Sequence, residues 1–107
     1  MTLDEWLGSR TPPAPPKLQA RLHAALRPWL HAAATGAPQF CLAAAEDLLR
    51  HLMADPSNGR GRALDLLAAD ALVTYAFEAA SEHPETLAQC AEAATLRIAR
   101  LDRGAQP

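Results

Sequence analysis

The chain has 107 residues, half of them hydrophobic, and a formal charge of −2 at pH 7. That length supplies one core and little more, and the slightly acidic balance excludes the broad positive field that non-specific binding to nucleic acid or an anionic membrane requires. No apolar run approaches the roughly 20 residues of a spanning helix, and the opening Met1-Thr2-Leu3-Asp4-Glu5-Trp6 is acidic where a secretory leader is basic, so a cytoplasmic protein is expected.

Much of the apolar content is alanine, in runs such as 32–34 and 43–45. Alanine is the strongest helix former, and the β-branched and aromatic residues that favour strands are scarce, so the fold class is all-α. Thr2 followed by Glu5 has the form of a capping box and starts a short helix over residues 3–9 that presents Leu3, Trp6 and Leu7 and docks as a lid. Residues 11–16, Thr-Pro-Pro-Ala-Pro-Pro, cannot continue that helix and form a stiff, extended connector.

From residue 16 to about 34, Leu18, Leu22, Ala25, Leu26, Trp29 and Ala33 recur on one helical face. The period runs through Pro28, which falls on the wetted side, so a bend and not a break is expected there. Gly36 is placed to end this helix in a left-handed cap. The next helix, about 38–54, sets Cys41, Leu42, Ala45, Leu48, Leu49, Leu52 and Met53 against a polar face of Glu46, Asp47, Arg50 and His51. Glu46 with Arg50 and Asp47 with His51 make four-residue surface pairs. Residues 55–61 carry turn formers and two glycines and read as a flexible loop.

The helix from about 61 to 82 is apolar around most of its circumference, with Asp70, Thr74, Glu78 and Ser81 in one narrow polar stripe, so it should sit centrally. Asp70 stands among Leu66, Val73 and Phe77. A last helix from Pro84 to Arg103 buries Leu87, Cys90, Ala91, Ala94, Ile98 and Leu101, while Arg97, Arg100 and Arg103 suit its negative end. The expected architecture is a single domain over 1–107: a short helix in 1–10, the connector in 11–16, and an antiparallel bundle over 17–103 with main helices at 16–34, 38–54, 61–82 and 84–103.

Cys41 and Cys90 lack C-x-x-C spacing and lie on apolar faces, as reduced core thiols do. His23, His31, His51 and His83 form no i, i+3 or i, i+4 ligand pair with another His or Glu turned inward, so no metal is expected. No nucleophile elbow, Walker loop or dinucleotide fingerprint is present, and no cofactor is expected.

Three segments resemble the trans-isoprenyl (polyprenyl) diphosphate synthase family. Leu26-Arg27-Pro28-Trp29-Leu30-His31-Ala32-Ala33-Ala34 is similar to that family's early Leu-Arg-Pro-Leu-Leu-x-x-Ala-Ala helix. Residues 43–53 are similar, more loosely, to the helix that delivers its first aspartate-rich motif. Leu66-Leu67-Ala68-Ala69-Asp70-Ala71-Leu72-Val73-Thr74-Tyr75-Ala76-Phe77 is similar to its Leu-Leu-Ala-Gly-Asp-Ala-Leu-Leu-x-x-Ala-Phe helix.

The resemblance covers about residues 26–78 and implies an isoprenoid-synthase-like helical fold, with Arg27 and Arg60 as diphosphate contacts. The family's Asp-Asp-x-x-Asp clusters hold magnesium; here the first reads Asp55-Pro56-Ser57-Asn58 and the second is missing, so the reaction is expected to be lost. Two roles follow as expectations. One is a non-catalytic binding or assembly module, homodimeric through Trp6, Leu30 and Leu96, which fall off the predicted core faces. The alternative is a prenyl-chain-binding protein, or the small subunit of a two-component synthase, with a pocket beside Asp70, Thr74 and Phe77.

Overall fold

Five α-helices and two 3-10 turns make up the computed structural model, which describes residues 1–55 and 59–105. In chain order they are α1 (Leu3–Gly8), α2 (Pro16–Ala25), 3-10 turns at Arg27–Trp29 and Ala34–Gly36, α3 (Ala37–Ala54), α4 (Gly59–Ala80) and α5 (Pro84–Ala105). The fold is all-α, with four main helices packed together and the short α1 against them, as the alanine-rich periodicity predicts. No helix is long and apolar enough to cross a membrane among the described residues. Pro56, Ser57 and Asn58 of the predicted loop lie outside the described residues, whereas Gly59, Arg60 and Gly61 are already helical.

The capping box forms as expected. Glu5 N–H donates to Thr2 Oγ1 at 3.2 Å and Thr2 N–H to Glu5 Oε1 at 2.9 Å, which satisfies backbone donors that a helix start leaves open. The short helix docks through the expected side, with Leu3, Trp6 and Leu7 all buried in the main core.

The helix expected over 16–34 stops at Ala25, so Pro28 breaks it. An α-helical residue 28 would owe its N–H to the Ala24 carbonyl, and proline has none. The chain tightens instead, with Trp29 N–H donating to Leu26 O at 2.9 Å and Leu30 N–H to Arg27 O at 3.4 Å. Beyond that turn the backbone pairs with the start of the chain: Leu3 N–H donates to Ala32 O (2.9 Å), Asp4 N–H to Leu30 O (3.0 Å) and Ala34 N–H to Met1 O (3.0 Å). A helix continued to residue 34 would instead have paired the Leu30 carbonyl with the Ala34 N–H, taking both from the chain start.

Gly36 is not a left-handed cap. Its φ of −85° and ψ of 4° are open to any residue, and it begins α3 instead of ending the helix before it. Space favours glycine there: a Cβ would stand 2.5 Å from the Phe40 ring and displace it from Trp29, on which it stacks at 5.8 Å between centroids.

Helix α4 is packed most extensively on α3, then on α5 and α2, through Ala68, Ala69, Leu72, Ala76 and Ala80. Its small buried residues let the helix axes approach closely, while Leu22, Leu26, Leu42 and Leu48 fill the space between. The expected central position is therefore correct on one side only. Leu66 is 46 % exposed, and in α5 the residues Leu87 and Ile98, read from the sequence as core-facing, are exposed as well. Among the described residues of α5 only Cys90 is buried, because α3 and α4 reach the helix from one side. Met53, also placed on a core face, is exposed near the end of α3.

Candidate functional site

The most extensive ionic cluster of the described residues sits where α3 meets the second half of α5. Glu46 is 7 % exposed although the sequence places it on the polar face of its helix. Arg50, one turn later on α3, donates from Nη2 to Glu46 Oε2 at 3.0 Å. Arg97 from α5 hydrogen-bonds Glu46 Oε1, and Arg100 Nη2 stands 3.9 Å from the same oxygen.

Desolvation by burial pulls the Glu46 pKa up. The hydrogen bond from Arg97 and the charges of Arg100, Arg97 and Arg50 outweigh it and hold the carboxyl below the usual glutamate range. The i, i+3 spacing of Arg97 and Arg100 could have signalled a shared anionic partner, but the negative end of the helix accounts for both equally well in a sequence.

Beside this cluster is an apolar cleft of about 40 Å³ between α3, α4 and α5, lined by Leu42, Leu49, Val73, Ile98 and Leu101 among others. Small-molecule pockets run from about 300 to 1,000 Å³. A prenyl chain therefore has no room in it. A second cleft of about 530 Å³ lies between α1, the second 3-10 turn and the α4–α5 corner, lined by Trp6, Ser9, Arg10, Thr35, Glu82 and His83 among others. The Arg10 guanidinium is already engaged there, 4.2 Å above the Trp6 ring, donating from Nε to the Trp6 carbonyl at 3.3 Å and facing Glu78 at 3.5 Å. A third, of about 240 Å³, follows the α2–α3 groove past Arg21, Pro28, Asp47 and His51.

The residues singled out from the sequence scatter. Asp70 and Thr74 are exposed on the open side of α4, Phe77 is half-buried next to them, and none of the three lines any of these clefts. Arg27, on the first 3-10 turn, and Arg60, in the first turn of α4, are both exposed. Arg60 and Asp70 are ten residues apart on one helix, about 15 Å along its axis, so one small anion cannot bridge them.

Trp6 and Leu30, expected on an interface, are buried at 8 % and 6 % exposure. The pairing of residues 1–4 with 30–34 folds both inward, which periodicity within one helix cannot reveal. Leu96 alone of that set is open, at 57 % exposure.

Cys41 and Cys90 are both free and buried. Burial, with Cys90 nearby and only partly offset by Arg10, pushes the Cys41 thiol up to about 12, and burial raises Cys90 as well. Nucleophilic cysteines need the opposite setting. His23 faces Asp4 at 3.2 Å, and His51 Nδ1 is 2.7 Å from the Asp47 carbonyl. Among the described residues no three His, Cys, Asp or Glu side chains gather in an arrangement that could hold a metal ion.

What remains is the open side of α4 and α5. Val73, Ile98 and Leu101 mark the groove where the two helices meet. On the Val73 face of α4 stand Leu66, seven residues earlier, and Phe77, four residues later; on the Ile98 face of α5 stand Leu87, Ala91 and Ala94. Leu66, Leu87, Ala91 and Ile98 are exposed, giving an apolar strip along both helices with Asp70 and Thr74 at its border. Comparison of the chain with protein-family models, characterised proteins and solved structures finds no match.

Proposed function

We propose that the chain is a non-catalytic helical assembly module that acts as a homodimer. The observation that carries this reading is the apolar strip on α4 and α5, where Ile98 is 62 % and Leu66 46 % exposed. Large apolar side chains gathered in one continuous strip mark interaction surfaces, whereas scattered ones do not. Closed two-fold pairing is the commonest way for a soluble protein to cover such a surface.

Size-exclusion chromatography with light scattering, from low to high micromolar concentration, tests the reading. A rise towards twice the chain mass, 11.4 kDa for one copy, is expected. A strictly monomeric protein at several hundred micromolar overturns it. The Ile98→Glu variant should remain monomeric throughout, because a charge buried at an apolar contact without a partner is unfavourable.

A further inference from the structure

Six residues of α5 recur with spacings of four, three, four, three and four: Pro84, Ala88, Ala91, Thr95, Ile98 and Asp102. This is the spacing of a coiled-coil seam, and all six are exposed. The seam also has a direction. Its first half is small, with Ala88 and Ala91, and its second half is larger, with Thr95 and Ile98. Read from either end towards position 93, each small residue is matched by a large one.

From this arrangement we infer that α5 packs antiparallel on α5 of a second copy, about a two-fold axis at position 93. Ile98 then lies against Ala88 and Thr95 against Ala91 of the other copy, so each large side chain meets a small one, as close packing requires. This rests on the self-association proposed above and specifies its geometry. A parallel pairing would set Ile98 on Ile98 and leave the alanines facing each other across a gap.

Charge selects the same orientation. Asp102 has no ion-pair or hydrogen-bond partner among the described residues and sits at the negative end of its own helix, where a carboxylate is unfavourable. In the antiparallel pair it falls beside position 84 of the other α5, at the positive end, where the first amides have no intrahelical acceptor. Parallel pairing would bring Asp102 against Asp102.

The area is sufficient. The seam spans residues 84–102, about 27 Å, and with the bordering Leu66 and Phe77 of α4 the face is roughly 20 Å wide. That covers roughly 500 Å² on each copy, about 1,000 Å² in all, which is the lower end of specific interfaces and suits micromolar self-association.

Disulfide trapping tests the register. Separately purified Ala91→Cys and Thr95→Cys proteins are mixed, oxidised mildly and compared with each variant alone, with Leu96→Cys, and with the wild type, whose own thiols are buried. The expected result is a mixed 91–95 dimer exceeding either self-linked product, light scattering that shows a wild-type dimer, and an Asp102→Lys variant that dimerises about two- to fivefold more weakly. A wild-type dimer whose trapping occurs at Leu96→Cys overturns this seam and leaves self-association standing. A monomer at several hundred micromolar removes both.

Discussion

A carboxylate surrounded by three arginines ties the outermost helix of this bundle to its centre. Glu46 is the only buried charged side chain in the described core, and its partners come from both its own helix and α5. Glu46→Gln keeps the volume and removes the charge, and should lower stability by about 1–2 kcal/mol in urea unfolding near neutral pH, as loss of charge-assisted hydrogen bonds does. The effect has a definite pH dependence. Because the arginines hold the Glu46 pKa below its unfolded value, the stabilisation is complete above the ordinary glutamate value of about 4.3 and disappears as pH falls through the lower folded value. Wild type and variant should therefore converge as the pH is lowered through the acid range; a difference that does not shrink at all with falling pH contradicts this account. Cys41 and Cys90 supply a second residue-scale test. With both thiols raised and covered, native protein at pH 8 should react with a thiol reagent far more slowly than free cysteine, and unfolded protein should release two equivalents.

Among the elements, α1 has six residues and would be a marginal helix alone, yet its apolar side is fully enclosed. Two supports explain it: the capping box at its start, and the backbone bonds that residues 3, 4 and 34 make between the chain start and the segment after Pro28. Trp6 is further packed edge-on against Tyr75 at 6.2 Å and under Arg10. Trp6→Ala should therefore cost about 3 kcal/mol or more in urea unfolding, as removal of a buried aromatic does; a loose lid would lose less than 1 kcal/mol. The location and type of each main helix were legible because their apolar residues recur at three and four with proline at the first turn of α2, α3 and α5. The end of α2 was not. Periodicity places Leu26 inward, where it is buried, but past Pro28 it sets Ala33 on the core face and Leu30 off it, whereas Ala33 is exposed and Leu30 buried. It also says nothing of where the carbonyls beyond the proline find donors.

For the whole molecule, the same limit governs the candidate site. Trp6, Leu30 and Ile98 exchange roles between expectation and structure because an apolar stripe identifies the side of a helix that avoids water without saying whether the same chain covers it. In α5 the stripe is wider than α3 and α4 can reach, and Leu87 and Ile98 are the excess. An interface made of that excess has a thermodynamic consequence. Residues exposed in the single copy add nothing to its stability, so replacing them should leave the fold intact, whereas the dimer gains stability with concentration by mass action. Wild-type protein should melt at a temperature that rises as concentration is taken from about 5 to 500 μM. Leu66→Glu and Ile98→Glu should keep the helical circular-dichroism spectrum and melt at a temperature independent of concentration, close to that of the dilute wild type. If either substitution unfolds the protein outright, its side chain is part of the monomer core and the open face is misassigned. If the wild type melts at one temperature throughout, the surplus apolar surface of α4 and α5 is not used for self-association.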